Sequence, residues 1–165
     1  MSDDQDRSFA ALAEEVQRLK DVNEIMQLKA RYCRCVDVKD WAGFAECLTE
    51  DHELVGDGHV ITGRDDVVRY VKAVLGDAMS VHHAHSPEIE ITGPDTATAT
   101  WAKNGYVIMP NDGSPFVFRG YGHYHEECVR GAQGWQIRRC VESNLRVDTE
   151  GELPTYVAAA NQHSG

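Results

Sequence analysis

The residues with the most chemistry to offer are histidines and acids in a few tight groups. His82, His83 and His85 stand together in Val81-His82-His83-Ala84-His85, and His123 and His125 form an HxH beside Tyr121, Glu126 and Glu127. Imidazole serves either as a base near neutral pH or as a metal ligand. Strand alternation places His83 and His85 on one face and His82 on the other. An HxH pair needs a third ligand to hold a metal, for which only His83 or His85 offer themselves, and no metal site is assigned. Asp37, at the end of a long helical pattern that also carries Tyr32, is the acid best placed for work. Cys33, Cys35, Cys47, Cys128 and Cys140 are an odd set without CxxC spacing, so neither a disulfide framework nor a zinc knuckle is expected.

The elements that must position these groups follow from periodicity. From Phe9, the apolar positions Leu12, Val16, Leu19, Met26 and Cys33 recur at helical spacing, with Ile25, Leu28, Tyr32 and Val36 widening the stripe. One helix is expected to about Asp37, then a short helix through Trp41, Phe44 and Leu48, capped by Asp40. A hairpin over 53–62 turns at Asp57-Gly58, and a third helix runs from Gly63-Arg64 to Gly76. Segments 81–92, 96–109, 115–129 and 135–147 alternate and are rich in β-branched and aromatic residues. Turns rich in Gly, Pro, Asn and Asp join them, which predicts an antiparallel meander. Helices first and strands later indicate α+β.

The 165 residues suit one domain, expected over 9–150 with loose tails at 1–8 and 151–165. A 42% hydrophobic and 26% charged composition is that of an ordinary soluble protein, and no apolar run reaches the roughly 20 residues of a membrane span. The acidic start carries no secretory pattern, so a cytoplasmic location is expected. A formal charge of −11 argues against nucleic acid and anionic membranes as partners.

The element order, with Arg31-Tyr32-Cys33-Arg34-Cys35-Val36-Asp37 leading into Asp40-Trp41, resembles the SnoaL-like branch of the nuclear transport factor 2-like superfamily over residues 10–148. Within it the chain is similar to the bile acid 7α-dehydratases, and more distantly to scytalone dehydratase and the hexachlorocyclohexane dehydrochlorinases. A second match lies in Val81-His82-His83-Ala84-His85-Ser86-Pro87. The resemblance implies a cone-shaped α+β barrel, with Asp37 and His82 as the catalytic pair and Tyr32 as an assisting phenol. Arg146 matches a substrate-binding arginine when a short gap is allowed. Where the dehydratases carry a further tyrosine near the first hairpin, this chain has Val55-Gly56.

In an apolar pocket, an imidazole held by Asp37 through one ring nitrogen would keep the other free as a base. The consistent chemistry is removal of a proton beside a carbonyl, followed by loss of water or reprotonation elsewhere, with no metal or organic cofactor required. Tyr32 lies about 140° around an ideal helix from Asp37, so the two occupy flanking faces and meet one pocket only if the helix frays. Trp41, Trp101 and Phe118 are assigned with Arg146 to substrate contact, and Trp135 to core or pocket wall. The expected activity is a dehydratase or isomerase of a steroid-like or polyketide-like molecule. The alternatives are a polyketide cyclase, a non-catalytic ligand-binding or oligomerisation module, and an oxygenase small subunit. An apolar outer sheet face, suggested by Ile89, Ile91, Val107 and Ile137, would make a homodimer or homotrimer.

Overall fold

The computed structural model describes the chain except residues 1, 57 and 163–165. Its elements run α1 (Ser2–Val38), α2 (Trp41–Glu46), β1 (Leu48–Gly56), β2 (His59–Thr62), α3 (Arg64–Leu75), β3 (Met79–Gly93), β4 (Thr96–Met109), β5 (Phe116–Gly131), β6 (Gly134–Glu150) and α4 (Thr155–Gln162). The strands form one curved sheet in the order β2-β1-β6-β5-β4-β3. Every pairing is antiparallel except β1 with β6. The sheet is an open cone rather than a closed barrel: β2 and β3 are its free edges.

Alternation sorts the side chains. On β4, Ala97, Ala99, Trp101, Lys103, Val107 and Met109 are buried beneath the helices. Val107 and Ile137 are almost wholly buried, and Ile89 and Ile91 pack against the core. The four residues expected to make an apolar outer face therefore belong to the inner one. On β5, His123 and His125 point away from the buried Tyr124, Glu126 and Cys128. Gly122 stands opposite Lys103 beside a register shift, where an added Cβ would lie 1.9 Å from the carbonyl oxygen of Ser143. Any side chain there would force the strands apart.

The first long pattern is two patterns. Asp21, Ile25, Leu28, Lys29, Tyr32, Cys35 and Val36 turn into the domain, whereas Phe9, Leu12, Val16, Leu19 and Met26 are exposed. Residues 5–20 are solvent-facing on every side. Helix α1 ends in a six-residue C-terminal motif: the Asp40 N–H donates to the Cys35 carbonyl at 2.9 Å and the Lys39 N–H to the Val36 carbonyl at 3.3 Å. Lys39 takes the left-handed conformation, φ 64°, that such an end requires. Asp40 then caps α2 by accepting from the Gly43 N–H at 3.0 Å.

The hairpin forms about Gly58, at φ 82°, while Asp57 lies outside the described residues. Residues 155–162, expected as a tail, form α4. Its Val157 packs with Ala78, Val107, Met109 and Phe116, and Pro154 before it is buried. Likewise α1 begins at Ser2, inside the stretch expected to be a loose tail. No helix among the described residues is long and apolar enough to cross a membrane.

Candidate active site

Asp37 and His82 meet where the end of α1 passes over edge strand β3. The His82 Nδ1 lies 2.7 Å from Asp37 Oδ1, and the His82 backbone N–H donates to Oδ2 at 2.9 Å. The Ser80 hydroxyl donates to Oδ1 at 3.1 Å and itself accepts from the Lys39 ammonium at 2.9 Å. Ser80 and His82 share a face because they are two apart on a strand, and that face looks inward.

Burial alone would raise the Asp37 carboxyl. The hydrogen bonds from the His82 ring and backbone and from Ser80, with the attraction of the ring, outweigh it and hold the carboxyl below the usual aspartate value. An ionised Asp37 can only accept, so Nδ1 carries the proton and Nε2 is the basic nitrogen. Nε2 has no hydrogen-bond partner among the described residues.

His82 contributes to the wall of a cavity of about 300 Å³. Val36, Leu54, Val74, Val107, Phe116 and Val157 make much of its apolar lining, and Tyr32, Tyr124 and Glu142 add polar atoms. Burial pushes both phenols well above the ordinary tyrosine value, so each remains a neutral donor. The Glu142 carboxylate is held by the Lys103 ammonium at 2.6 Å. Beneath the cavity Lys29 and Glu126 form a fully buried pair at 2.5 Å. The Trp101 indole N–H donates to the second Glu126 oxygen at 2.8 Å, and the Lys29 ammonium lies 4.1 Å and 3.6 Å from the ring centres of Tyr32 and Tyr124.

The structure thus gathers His82, Tyr32 and Phe118 around one cavity, with Asp37 behind His82 rather than in the wall. No fraying is needed, since α1 stays helical through Asp37: Tyr32 looks inward while Asp37 reaches sideways to β3. Three residues expected at the substrate stand outside this cavity. Arg146 is exposed and bonded to Asp148 at 2.9 and 3.0 Å, because β6 beyond Ser143 runs out with both faces in solvent. Trp41 packs at the core's edge, 5.9 Å from the Lys39 ammonium, outside the cavity wall. Trp101 lies in the wall of a second groove between α1 and β3 that His82 also lines, its indole committed to Glu126.

Ser80, Lys39, Tyr124 and the Lys103–Glu142 pair were not anticipated. Ser80 and Lys103 carried a signal, each standing at an inward parity within an alternating strand. Among the described residues no three His, Cys, Asp or Glu side chains are grouped to hold a metal ion.

A profile of the SnoaL-like domain matches residues 17–141. The chain belongs to the SnoaL-like domain family. Solved structures share its fold. A protein of unknown function from Mycobacterium tuberculosis is 25% identical, with 89% of this chain and 88% of that one aligned at a TM-score of 0.67. A protein from Novosphingobium aromaticivorans named for scytalone dehydratase is 16% identical, covering 83% and 92% at 0.73. A type 2 hexachlorocyclohexane dehydrochlorinase is 14% identical, covering 85% and 95% at 0.73. In this SnoaL-like chain the matched region takes in Tyr32, Asp37, His82 and the cavity lining up to β5, whereas Glu142, Leu153 and Val157 lie beyond it.

Proposed function

We propose that this SnoaL-like protein is a lyase or isomerase that removes a proton from carbon beside a carbonyl, with His82 as the base. One observation carries the reading: His82 is held at 2.7 Å by an ionised Asp37 while it walls an apolar cavity. Asp37 fixes the tautomer, and its charge stabilises the imidazolium once Nε2 has taken the proton. The electron pair of the broken C–H bond moves toward the carbonyl, where the neutral Tyr32 phenol supplies a hydrogen bond.

Two outcomes follow from that enolate. In a dehydration, the pair forms a new C=C bond as the neighbouring C–O bond breaks, and the imidazolium returns its proton so that water leaves. In an isomerisation, the same proton returns to another carbon. Both reactions balance without an external oxidant or reductant. Glu142, held by Lys103, offers an acceptor for a substrate hydroxyl. A volume of about 300 Å³ is at the small end for ligand pockets, which favours a compact hydroxylated, carbonyl-bearing ring system over a full steroid.

The test is turnover of hydroxy-ketone and hydroxy-enone candidates, followed by mass spectrometry for loss of water or a mass-neutral shift. His82→Gln is expected to lower kcat by about 100- to 10,000-fold with ligand affinity nearly unchanged. Equal turnover by wild type and His82→Gln would remove the base from the reading. Binding without turnover across the set would favour a ligand-binding module.

A further inference from the structure

Helix α1 carries a second repeat that its own domain does not use. Residues 5–20 have solvent on every side. Helices of this length hold poorly in water without a tertiary partner. Along this segment and beyond it, Phe9, Leu12, Val16, Leu19, Asn23 and Met26 recur at alternating spacings of three and four. The apolar members are 69%, 59%, 42%, 55% and 41% exposed in chain order, and Asn23 is exposed too. Asp21, Ile25, Leu28 and Tyr32, through which α1 grips the domain, lie roughly 160° around the helix from this seam. Over residues 9–23 a partner can therefore occupy the seam on the side away from the domain, while Met26 at its end borders the groove beside β3.

We propose that the seam is the interface of a parallel, two-stranded coiled coil with a second copy of this chain. In heptad terms Phe9, Val16 and Asn23 take the a positions and Leu12, Leu19 and Met26 the d positions. Leucine at d with a β-branched residue at a favours two strands, and an asparagine at a is satisfied by its own counterpart when the helices run parallel and in register. Charge agrees: Glu15, at g, meets Lys20 of the partner subunit at e, while the other such pairs, Ser8 with Ala13 and Val22 with Gln27, bring no like charges together. Within one chain Glu15 is engaged by Arg18 at 2.6 Å, but both are half exposed, so the pair is readily exchanged. The seam spans about 26 Å and stops where Cys33, the next d position, turns into the domain. At that end the seam adjoins the groove between α1 and β3, which Met26 and Gln27 line together with His82.

The oligomeric state of the full chain, followed by sedimentation through a dilution series, tests this independently of catalysis. The wild type is expected as two chains. Leu12→Glu combined with Leu19→Glu is expected to raise the dissociation constant by about tenfold or more, since carboxylates would face each other across the seam. Both side chains are exposed, so the near-ultraviolet signal of the domain should not change. Leu12→Cys should give a disulfide-linked pair on mild oxidation, because all five native cysteines are buried and the new thiol faces its counterpart. A single-chain mass at every concentration would overturn the proposal. So would a dimer that survives both glutamates, or one in which Leu12→Cys fails to link.

Discussion

Asp37 gives up its proton more readily than an ordinary aspartate although burial works against it, and the balance is set by three donors on β3. A folded value below the unfolded one, near 3.9, means the stabilisation is complete above that value and is lost as pH falls through the lower folded one. In urea unfolding, the gap in stability between wild type and Asp37→Asn should be open at about pH 6 and narrow by about pH 3. An unchanged gap would mean the donors contribute nothing to folding. The pair itself was legible because two separated motifs carry it. Which way His82 faces was not, since Ile89 and Ile91 point inward with the opposite parity. A register shift between His85 and Glu88, with Ser86 at φ 50°, reverses the alternation between them. Lys39 was harder still. The left-handed end of α1 ordinarily calls for glycine, and a lysine there costs about 1–2 kcal/mol in backbone strain, yet it delivers the ammonium to Ser80. Arg146 stands outside the cavity because a linear match says nothing of which stretch of a paired strand the helices leave uncovered: it faces Tyr121 in the sheet with its side chain in solvent.

Helix α1 meets the sheet through one buried ion pair as well as through its apolar stripe. Lys29 and Glu126 are 2% and 1% exposed in their side chains, so neither has water to fall back on. Glu126→Gln should cost about 3–5 kcal/mol because it strands a buried ammonium. Adding Lys29→Met should recover much of that loss in urea denaturation, since the glutamine still accepts from the Trp101 indole. Equal losses in the single and double variants would show that the pair is not the unit. The sequence pattern foretold β2 to β6 within a few residues and α1, α2 and α3 by type, but β1 begins at Leu48, five residues before the expected hairpin and at a residue expected in α2. What escaped it were the features that depend on a neighbour. Glu126 and Lys103 look like ordinary strand charges until their parity is set against apolar companions. The segment Thr155–Gln162 is short, alanine-rich and carries few large apolar residues, so Val157 and Pro154 gave little sign that α4 would cover the cavity.

For the molecule as a whole, fold class was readable from helices preceding strands, but the closing arrangement was not. Strand β1 pairs in parallel with β6, matching Leu54 to Cys140 and Val55 to Val141, and no local pattern reports a contact so distant in the chain. The β1–β2 hairpin has no other strand neighbour. Pulsed hydrogen exchange during refolding should therefore show amides between β4 and β5 protected first and those of β1 facing β6 last. Simultaneous protection would refute that order. On the ribosome the same topology imposes a wait: the hairpin emerges roughly 80 residues before its neighbour, which is several seconds of translation at ordinary elongation rates. Throughout that interval the nascent chain presents an unsealed strand, and a chaperone has its best opportunity there.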